Sequence, residues 1–106
     1  MSELTDQEFR MEADNAIESA QKALLPLADA EDFEVELQNG VLQVIFEEPK
    51  PAKFIVSPNA PVRQIWVSAL SRSFKLPWAG AADGFALDGE RLPALLDRLA
   101  RTQLGL

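Results

Sequence analysis

Carboxylates are the side chains in this sequence whose type and spacing could do chemistry. Five of them fall within eight residues, at Asp29, Glu31, Asp32, Glu34 and Glu36, and no base interrupts them. Hard cations such as iron, manganese, calcium and magnesium prefer carboxylate oxygens. The spacing matches no fixed ligand loop such as an EF-hand. We therefore expect any cation here to be bound weakly and to be shared among several acids.

Two further acids lie one helical turn apart near the N-terminus. Asp14 and Glu18 are like-charged i, i+4 neighbours, which is mildly unfavourable on a helix. Repulsion among the five carboxylates of residues 29–36 costs on the order of 1–3 kcal/mol at low salt. Three interpretations account for a chain that tolerates this cost. The acids form a surface for cations, a docking surface for a basic protein, or a charged edge that protects a strand from aggregation.

The residue types that are missing from the sequence exclude several kinds of chemistry. The chain has no cysteine and no histidine, which excludes disulfides, thiolate metal sites and imidazole bases. No Gly-rich phosphate loop is present, so conventional catalysis is not expected.

The charge of the chain is unevenly distributed. The net charge is −7, but residues 1–36 hold eleven acids and two bases, whereas residues 37–106 hold six acids and eight bases. Nucleic acids and anionic membranes attract basic surfaces, so neither is expected as a partner. An acidic first third favours cations or a basic protein surface instead.

An amide and an indole form a second candidate site. In the segment PVRQIWVS, Gln64 and Trp66 point to one face of a strand and Ile65 and Val67 to the other. If the second pair faces the core, Trp66 is exposed and could anchor a partner. A register slip of one residue would bury it instead. Asn59, between two prolines, is either a turn former or part of the same polar patch.

A helix and a hairpin must position the acids. Apolar residues at three- and four-residue steps predict a first helix from about Leu4 to Leu24, which Pro26 is expected to end. From Phe33 the period changes to two, and Asn39–Gly40 between two strand-like runs predicts a hairpin.

The remaining chain is typical of a sheet closed by a second helix. Strands are predicted in VLQVIF, AKFIVS, RQIWVS, SFKLP and, more weakly, FAL, and a helix follows Asp88–Gly89. This order predicts an α+β two-layer sandwich, with the N- and C-terminal helices packed on one face of an antiparallel sheet of five to six strands. Residues 1–106 are expected to form a single domain.

The sequence also carries expectations about location. No apolar run approaches the ~20 residues of a membrane span, and the acidic N-terminus lacks the features of a targeting leader. We therefore expect a cytoplasmic protein that contacts no membrane, with a processed organellar protein as the alternative. A monomer is also expected.

The sequence resembles the frataxin family, of the bacterial CyaY type, from Phe9 to about Leu99. The resemblance rests on EFRMEADNAIES as an acidic first helix, DFEVELQNGVLQVIF as the first hairpin, and NAPVRQIWVS as the signature strand. LPW follows that strand, and LDGERLPALLDRL resembles the closing helix. The most specific part is P-x-x-Q-I-W, which begins at Pro61.

The resemblance implies a frataxin-like fold and a role in iron–sulfur cluster assembly. Frataxins bind iron weakly, as Fe2+ or Fe3+, through acids of the first helix and first strand, and no other cofactor is implied. They also bind the complex of cysteine desulfurase and scaffold protein. In bacterial members the acids contact a basic patch of the desulfurase, and the sheet face around the signature tryptophan contacts the scaffold.

The matching positions are transferred residue by residue. Six acids match family positions of the metal-binding region: Asp14 and Glu18 on the helix, Asp29 after it, and Asp32, Glu34 and Glu36 on the strand. Glu31 is acidic in the same neighbourhood and is included as a candidate metal ligand. We name these seven acids the acidic ridge. The partner-binding positions are Asn59, Gln64 and Trp66.

Some positions depart from the family pattern. Gln21, Lys22 and Leu25 stand where relatives carry more acids, Arg10 replaces what is often an acid or a histidine, and Ser57 replaces a common asparagine. This thinner ridge suits a basic-partner surface better than a metal store. The resulting expectation is a non-enzymatic, iron-binding regulator of cluster assembly. The alternatives are a ferroxidase or iron-storage protein that oxidises Fe(II) on the ridge, and an unrelated acidic interaction domain of the same fold.

Overall fold

The computed structural model describes residues 4–79 and 84–106. Its helices and strands follow one another along the chain as α1 (Asp6–Glu31), β1 (Glu34–Gln38), β2 (Val41–Phe46), β3 (Ala52–Asn59), β4 (Gln64–Ala69), β5 (Arg72–Ala79), β6 (Gly84–Leu87), β7 (Glu90–Arg91) and α2 (Leu92–Leu104). A 3₁₀ turn, Ala60–Val62, connects β3 to β4.

The sheet is an antiparallel meander in which every strand pairs with its neighbours in sequence. The side chains of α1, α2 and one sheet face form a single apolar core, so both helices lie on that face. The predicted α+β two-layer sandwich is therefore confirmed. We name the other face of the sheet the open face.

The sheet has more strands than predicted. Among the described residues it has seven, instead of five to six. The additional strand, β7, is two residues long and pairs with β6 through a turn at Asp88–Gly89, where φ is 53° and 82°. A strand of two residues is too short to show the alternation of apolar and polar residues from which strands are predicted. β6 itself continues the sheet from β5, where Trp78 pairs with Phe85 and their rings meet edge to face at 5.3 Å.

The first hairpin has the predicted turn. Asn39 and Gly40 have φ of 54° and 77°, as the type I′ turn between β1 and β2 requires. On β1, Val35 and Leu37 pack against the core, while Glu34 and Glu36 are exposed. The period-two prediction is thus confirmed for this strand.

The first helix is longer than predicted. Pro26 lies inside α1, which continues to Glu31 instead of ending before the proline. Pro26 has no N–H to donate to the carbonyl of Lys22, which weakens the helix locally. Continuing the helix, however, buries Leu27 and Ala28 against the core. We infer that this burial outweighs the lost hydrogen bond.

Alanines allow α1 to lie close to the sheet. Ala13 and Ala20 are almost fully buried between larger core residues of the same helix, Phe9, Ile17 and Leu24. Neither α1 nor α2, the helices of the described ranges, combines the length and apolar character that a membrane crossing requires.

Candidate functional site

The acidic ridge is built by α1 and β1, which run side by side in opposite directions. Asp14 lies beside the hairpin turn, with its Oδ1 3.9 Å from where a Cβ on Gly40 would stand. Asp14 and Glu18 line a shallow depression together with Leu37 of β1. The two helix acids therefore lie near the hairpin turn.

Three acids gather at the C-terminal end of α1. Asp29 and Glu31 lie in its last turns, and Asp32 caps the helix in the left-handed conformation, with φ of 59° and its N–H donated to the carbonyl of Ala28. This corrects the expectation that Asp29 follows the helix and that Asp32 belongs to the strand. The cause is the continuation of α1 past Pro26.

The charge at this helix end is unfavourable. A helix C-terminus carries partial negative charge, which favours cations and disfavours acids. The last turn of α1 contains no basic residue. The fold therefore places acids where its own helix repels them.

Glu34 and Glu36 complete the ridge on β1, which is an edge strand of the sheet. Both are exposed, and their partners on β2 are Ile45 and Gln43, which carry no charge. Charged residues on an edge strand discourage strand-to-strand association, so this interpretation stays compatible with the position of the two acids.

Among the residues that the structure describes, the ridge has no internal counter-charge. Within residues 4–79 and 84–106, none of its seven carboxylates forms an ion pair. Lys22, exposed on the same helix, also forms none in these ranges. The ion pairs of the described part lie elsewhere and join Arg63 to Asp6, Arg98 to Glu90, and Arg101 to Asp97.

The geometry of the ridge bears on its suitability for iron. Carboxylate oxygens are suitable donors for a hard cation, but no three metal-ligating side chains of the described residues converge on a common point. The ridge thus fits a cation attracted weakly to several acids, and it does not fit a preformed coordination site.

The second candidate site lies on the open face of β4. Ile65 and Val67 are buried, whereas Gln64 is half-buried and Trp66 is 38% exposed. The prediction that Trp66 stands on the solvent face is confirmed, and the alternative register is wrong.

The indole of Trp66 is held by two neighbours. Its Nε1–H donates to Oε1 of Gln64 at 2.9 Å. The ammonium of Lys75, the partner of Trp66 on β5, lies 5.0 Å from the ring centroid, within the range of a cation–π contact. The exposed ring is therefore held in a defined orientation.

Asn59 lies next to this pair. It is the last residue of β3 and stands opposite Gln64 in the strand register. It also directly precedes the 3₁₀ turn, although its side chain makes no capping hydrogen bond. The position of Asn59 agrees with both interpretations, since it precedes a turn and also lies beside Gln64.

Sequence reasoning missed several residues of the open face. Ser57 is the partner of Trp66 on β3, and an open depression of about 380 Å³ surrounds the pair, lined by Ile55, Ser57, Trp66, Val67, Ser68, Ser73 and Lys75. Strand alternation on β3 and β5 could have assigned these side chains to one face. The pairing register that brings Lys75 over Trp66 has no such signal. We name Asn59, Gln64, Trp66 and Lys75 the indole patch.

The acidic ridge and the indole patch are separate surfaces. The ridge lies at the β1 edge, and β4 is three strands away in the sheet order. With a strand spacing of about 4.8 Å, the separation is roughly 14 Å across the sheet.

Comparison with known proteins agrees with this architecture. Residues 2–106 match the family model of the frataxin-like domain. The chain is 30% identical over 105 residues to the iron-sulfur cluster assembly protein CyaY of Janthinobacterium sp. (strain Marseille), covering 97% of this chain and 93% of that protein. It is 34% identical over 93 residues to the protein of the same name from Pseudomonas aeruginosa, covering 84% of each.

A third relative spans the full chain. The CyaY protein of Cupriavidus metallidurans is 30% identical over 108 residues, covering 100% of this chain and 96% of its own. The fold, the acids along α1 and β1 and the exposed tryptophan thus belong to a frataxin-like protein. The chain belongs to the frataxin family, and within it to the bacterial CyaY type.

Proposed function

We propose that this protein acts in the bacterial cytoplasm as a non-enzymatic regulator and adaptor of iron–sulfur cluster assembly. In this proposal the acidic ridge docks on a basic surface of a cysteine desulfurase, and the indole patch contacts the scaffold protein. The ridge also binds Fe2+ or Fe3+ weakly. The names of the CyaY relatives support the pathway.

The observation that carries the docking proposal is the uncompensated charge of the ridge. Its carboxylates are unpaired within the described ranges, and three of them oppose the dipole of α1. A partner that brings arginines or lysines to this edge removes both unfavourable terms at once. Electrostatic attraction of this kind raises the association rate and makes binding sensitive to salt.

Iron binding is proposed as the weaker activity of the same surface. The donor type suits iron, but the side chains do not converge in the part of the chain that the structure describes. Binding through several surface carboxylates that do not converge is weak and competes with docking, because both use the same charges. A cation bound in this way remains exchangeable.

The docking proposal is tested by charge reversal with a matched control. Glu34→Lys with Glu36→Lys should weaken binding to the desulfurase at least about tenfold at low salt, since several charge contacts are lost. Glu12→Lys with Asp88→Lys changes the net charge equally but lies outside the ridge, and should bind almost as the parent does. Titration calorimetry gives both affinities, with circular dichroism as the check on folding. Unchanged binding of the ridge variant, or equal loss in both, contradicts the proposal.

Iron binding is tested separately by amide NMR under anaerobic conditions. Fe(II) should broaden signals of residues 14–18 and 29–36, and Ca(II) should shift the same signals without broadening. The Glu34→Lys, Glu36→Lys variant should respond less. Signals that stay unchanged leave the ridge as a docking surface alone. Oxygen uptake above a protein-free blank, when Fe(II) is added in air, would favour the ferroxidase alternative.

A further inference from the structure

Arg63 adopts a backbone conformation that a residue with a side chain rarely takes. It joins the 3₁₀ turn to β4 with φ of 51° and ψ of 51°, in the left-handed region. Glycine and asparagine take this conformation at lower cost than arginine. The turn alone therefore does not explain an arginine at this position.

The side chain of Arg63 binds the beginning of α1. Its Nε donates to the carbonyl oxygen of Leu4 at 2.7 Å, and its Nη2 forms an ion pair with Oδ1 of Asp6 at 2.5 Å. Nη1 donates to the carbonyl of Ala60 in the adjoining turn at 3.3 Å. One guanidinium thus connects two segments that are 57 to 59 residues apart in sequence.

The helix end that Arg63 binds is itself well ordered. Thr5 caps α1 by accepting from the N–H of Glu8, and the Glu8 carboxylate accepts from the N–H of Thr5. Such a reciprocal capping box stabilises the first turn of a helix. Arg63 is therefore anchored to a fixed point, and the beginning of β4 is anchored with it.

The residue after Arg63 is Gln64, which accepts the indole N–H of Trp66. Gln64 is also the first residue of β4 and stands opposite the last residue of β3. Its position consequently depends on how the preceding turn is held. A contact chain leads from the N-terminus of α1 through Arg63 and Gln64 to the exposed indole.

We infer that Arg63 is a positioning residue for partner recognition. By tying the start of β4 to the N-terminal end of α1, it holds Gln64 and Trp66 in the orientation in which the indole patch docks on a protein partner. This inference rests on the proposed function of the patch. It adds a residue that does not itself belong to the docking surface.

The test combines a spectroscopic signature with binding. In the Arg63→Gln variant the indole N–H signal of Trp66 should shift or broaden in a ¹H–¹⁵N spectrum and exchange faster with water. The indole signal of Trp78, on β5, should stay in place as an internal reference. Asp6→Asn removes the ion pair and leaves the bond to Leu4 possible, so it should give a smaller shift. Arg10→Gln is the matched control, because Arg10 is exposed and has no ion pair in the described ranges.

Binding to the purified scaffold protein supplies the second measurement. Trp66→Ala should weaken it strongly, and Arg63→Gln should weaken it by about three- to tenfold, mainly through faster dissociation. An unchanged Trp66 signal in Arg63→Gln overturns the inference whatever the patch binds. Weaker binding of Trp66→Ala with parental binding of Arg63→Gln also overturns it. Parental binding of Trp66→Ala shows instead that the proposed patch function is wrong, and removes the basis of the inference. If Arg63→Gln does not fold, the Asp6→Asn variant decides by the same two measurements.

Discussion

Neutralising the acids at the end of α1 should make the protein more stable. The variant replaces Asp29 and Asp32 by asparagine and Glu31 by glutamine, which keeps size and polarity. All three carboxylates lie in the last turns or at the cap of α1, without a basic residue in the last turn. Asparagine also tolerates the left-handed conformation that residue 32 adopts.

The expected gain follows from the position of the charges. A charge of the wrong sign in the last turn of a helix costs about 0.3–1 kcal/mol at low ionic strength. Three such charges, partly screened from one another, give a gain of about 1–2 kcal/mol in the free energy of unfolding. For a domain of this size the melting temperature should rise by roughly 4–12 °C.

Thermal unfolding followed by circular dichroism measures this gain. At about 1 M salt, where the Debye length is only about 3 Å, the difference between variant and parent should shrink. Glu8→Gln is the matched control at the other end of α1. It keeps a capping-box side chain but removes a favourable charge, so it should be slightly destabilising. A triple variant that is no more stable than the parent at low salt, or a gain that salt does not reduce, would refute the reasoning.

Three other predictions follow from single side chains. Pro26→Ala restores an N–H that the carbonyl of Lys22 can accept, and should raise the free energy of unfolding by about 1–2 kcal/mol in urea titrations; a decrease would mean that the proline fits its helix without cost. Glu90 accepts two hydrogen bonds from Arg98, and these bonds lower the pKa of Glu90 from its usual 4.5. A carboxylate whose pKa is lowered in the folded state stabilises the fold above its unfolded-state pKa, and this contribution is lost as the pH falls through the folded-state pKa. Glu90→Gln should therefore be less stable than the parent at neutral pH and equally stable well below the folded-state pKa of Glu90. A difference in stability that does not change with pH would contradict this. Phe54→Ala removes a fully buried ring and should cost about 3–5 kcal/mol in the same titrations, and a loss well below this range would show that the core collapses around the cavity.

The part of the fold that the sequence predicted depends on short-range signals. The hairpin at Asn39–Gly40 and the exposure of Trp66 follow from turn preference and strand alternation, and both are confirmed by the structure. The predicted helix end at Pro26 was wrong, because a local rule for helix ends does not take into account that Leu27 and Ala28 are buried against the core. The apolar residues that keep α1 going are recognisable only once the sheet beneath them is known.

The missed parts of the candidate sites depend on contacts between distant residues. Lys75 lies over Trp66 because β4 and β5 pair in one particular register. Arg63 contacts Leu4, which is 59 residues away in the sequence. Neither the type nor the spacing of the two residues predicts this contact. The strand β7 is too short for any periodic pattern. Local sequence therefore predicted which residues could bind, and the fold decided which residues hold them in place.

The meander order of the sheet affects how the affinities of two weak contacts combine. Hydrogen-bonded strands join the acidic ridge to the indole patch without a flexible linker between them. A single assembly that offers complementary surfaces at the matching distance can engage both, and the second contact then forms within one complex at a high effective concentration. If both contacts of the proposed function form, two modest affinities multiply in such a complex. On that proposal the protein would bind an assembled complex more tightly than its separate components, provided that the two partner surfaces match a separation of three strands.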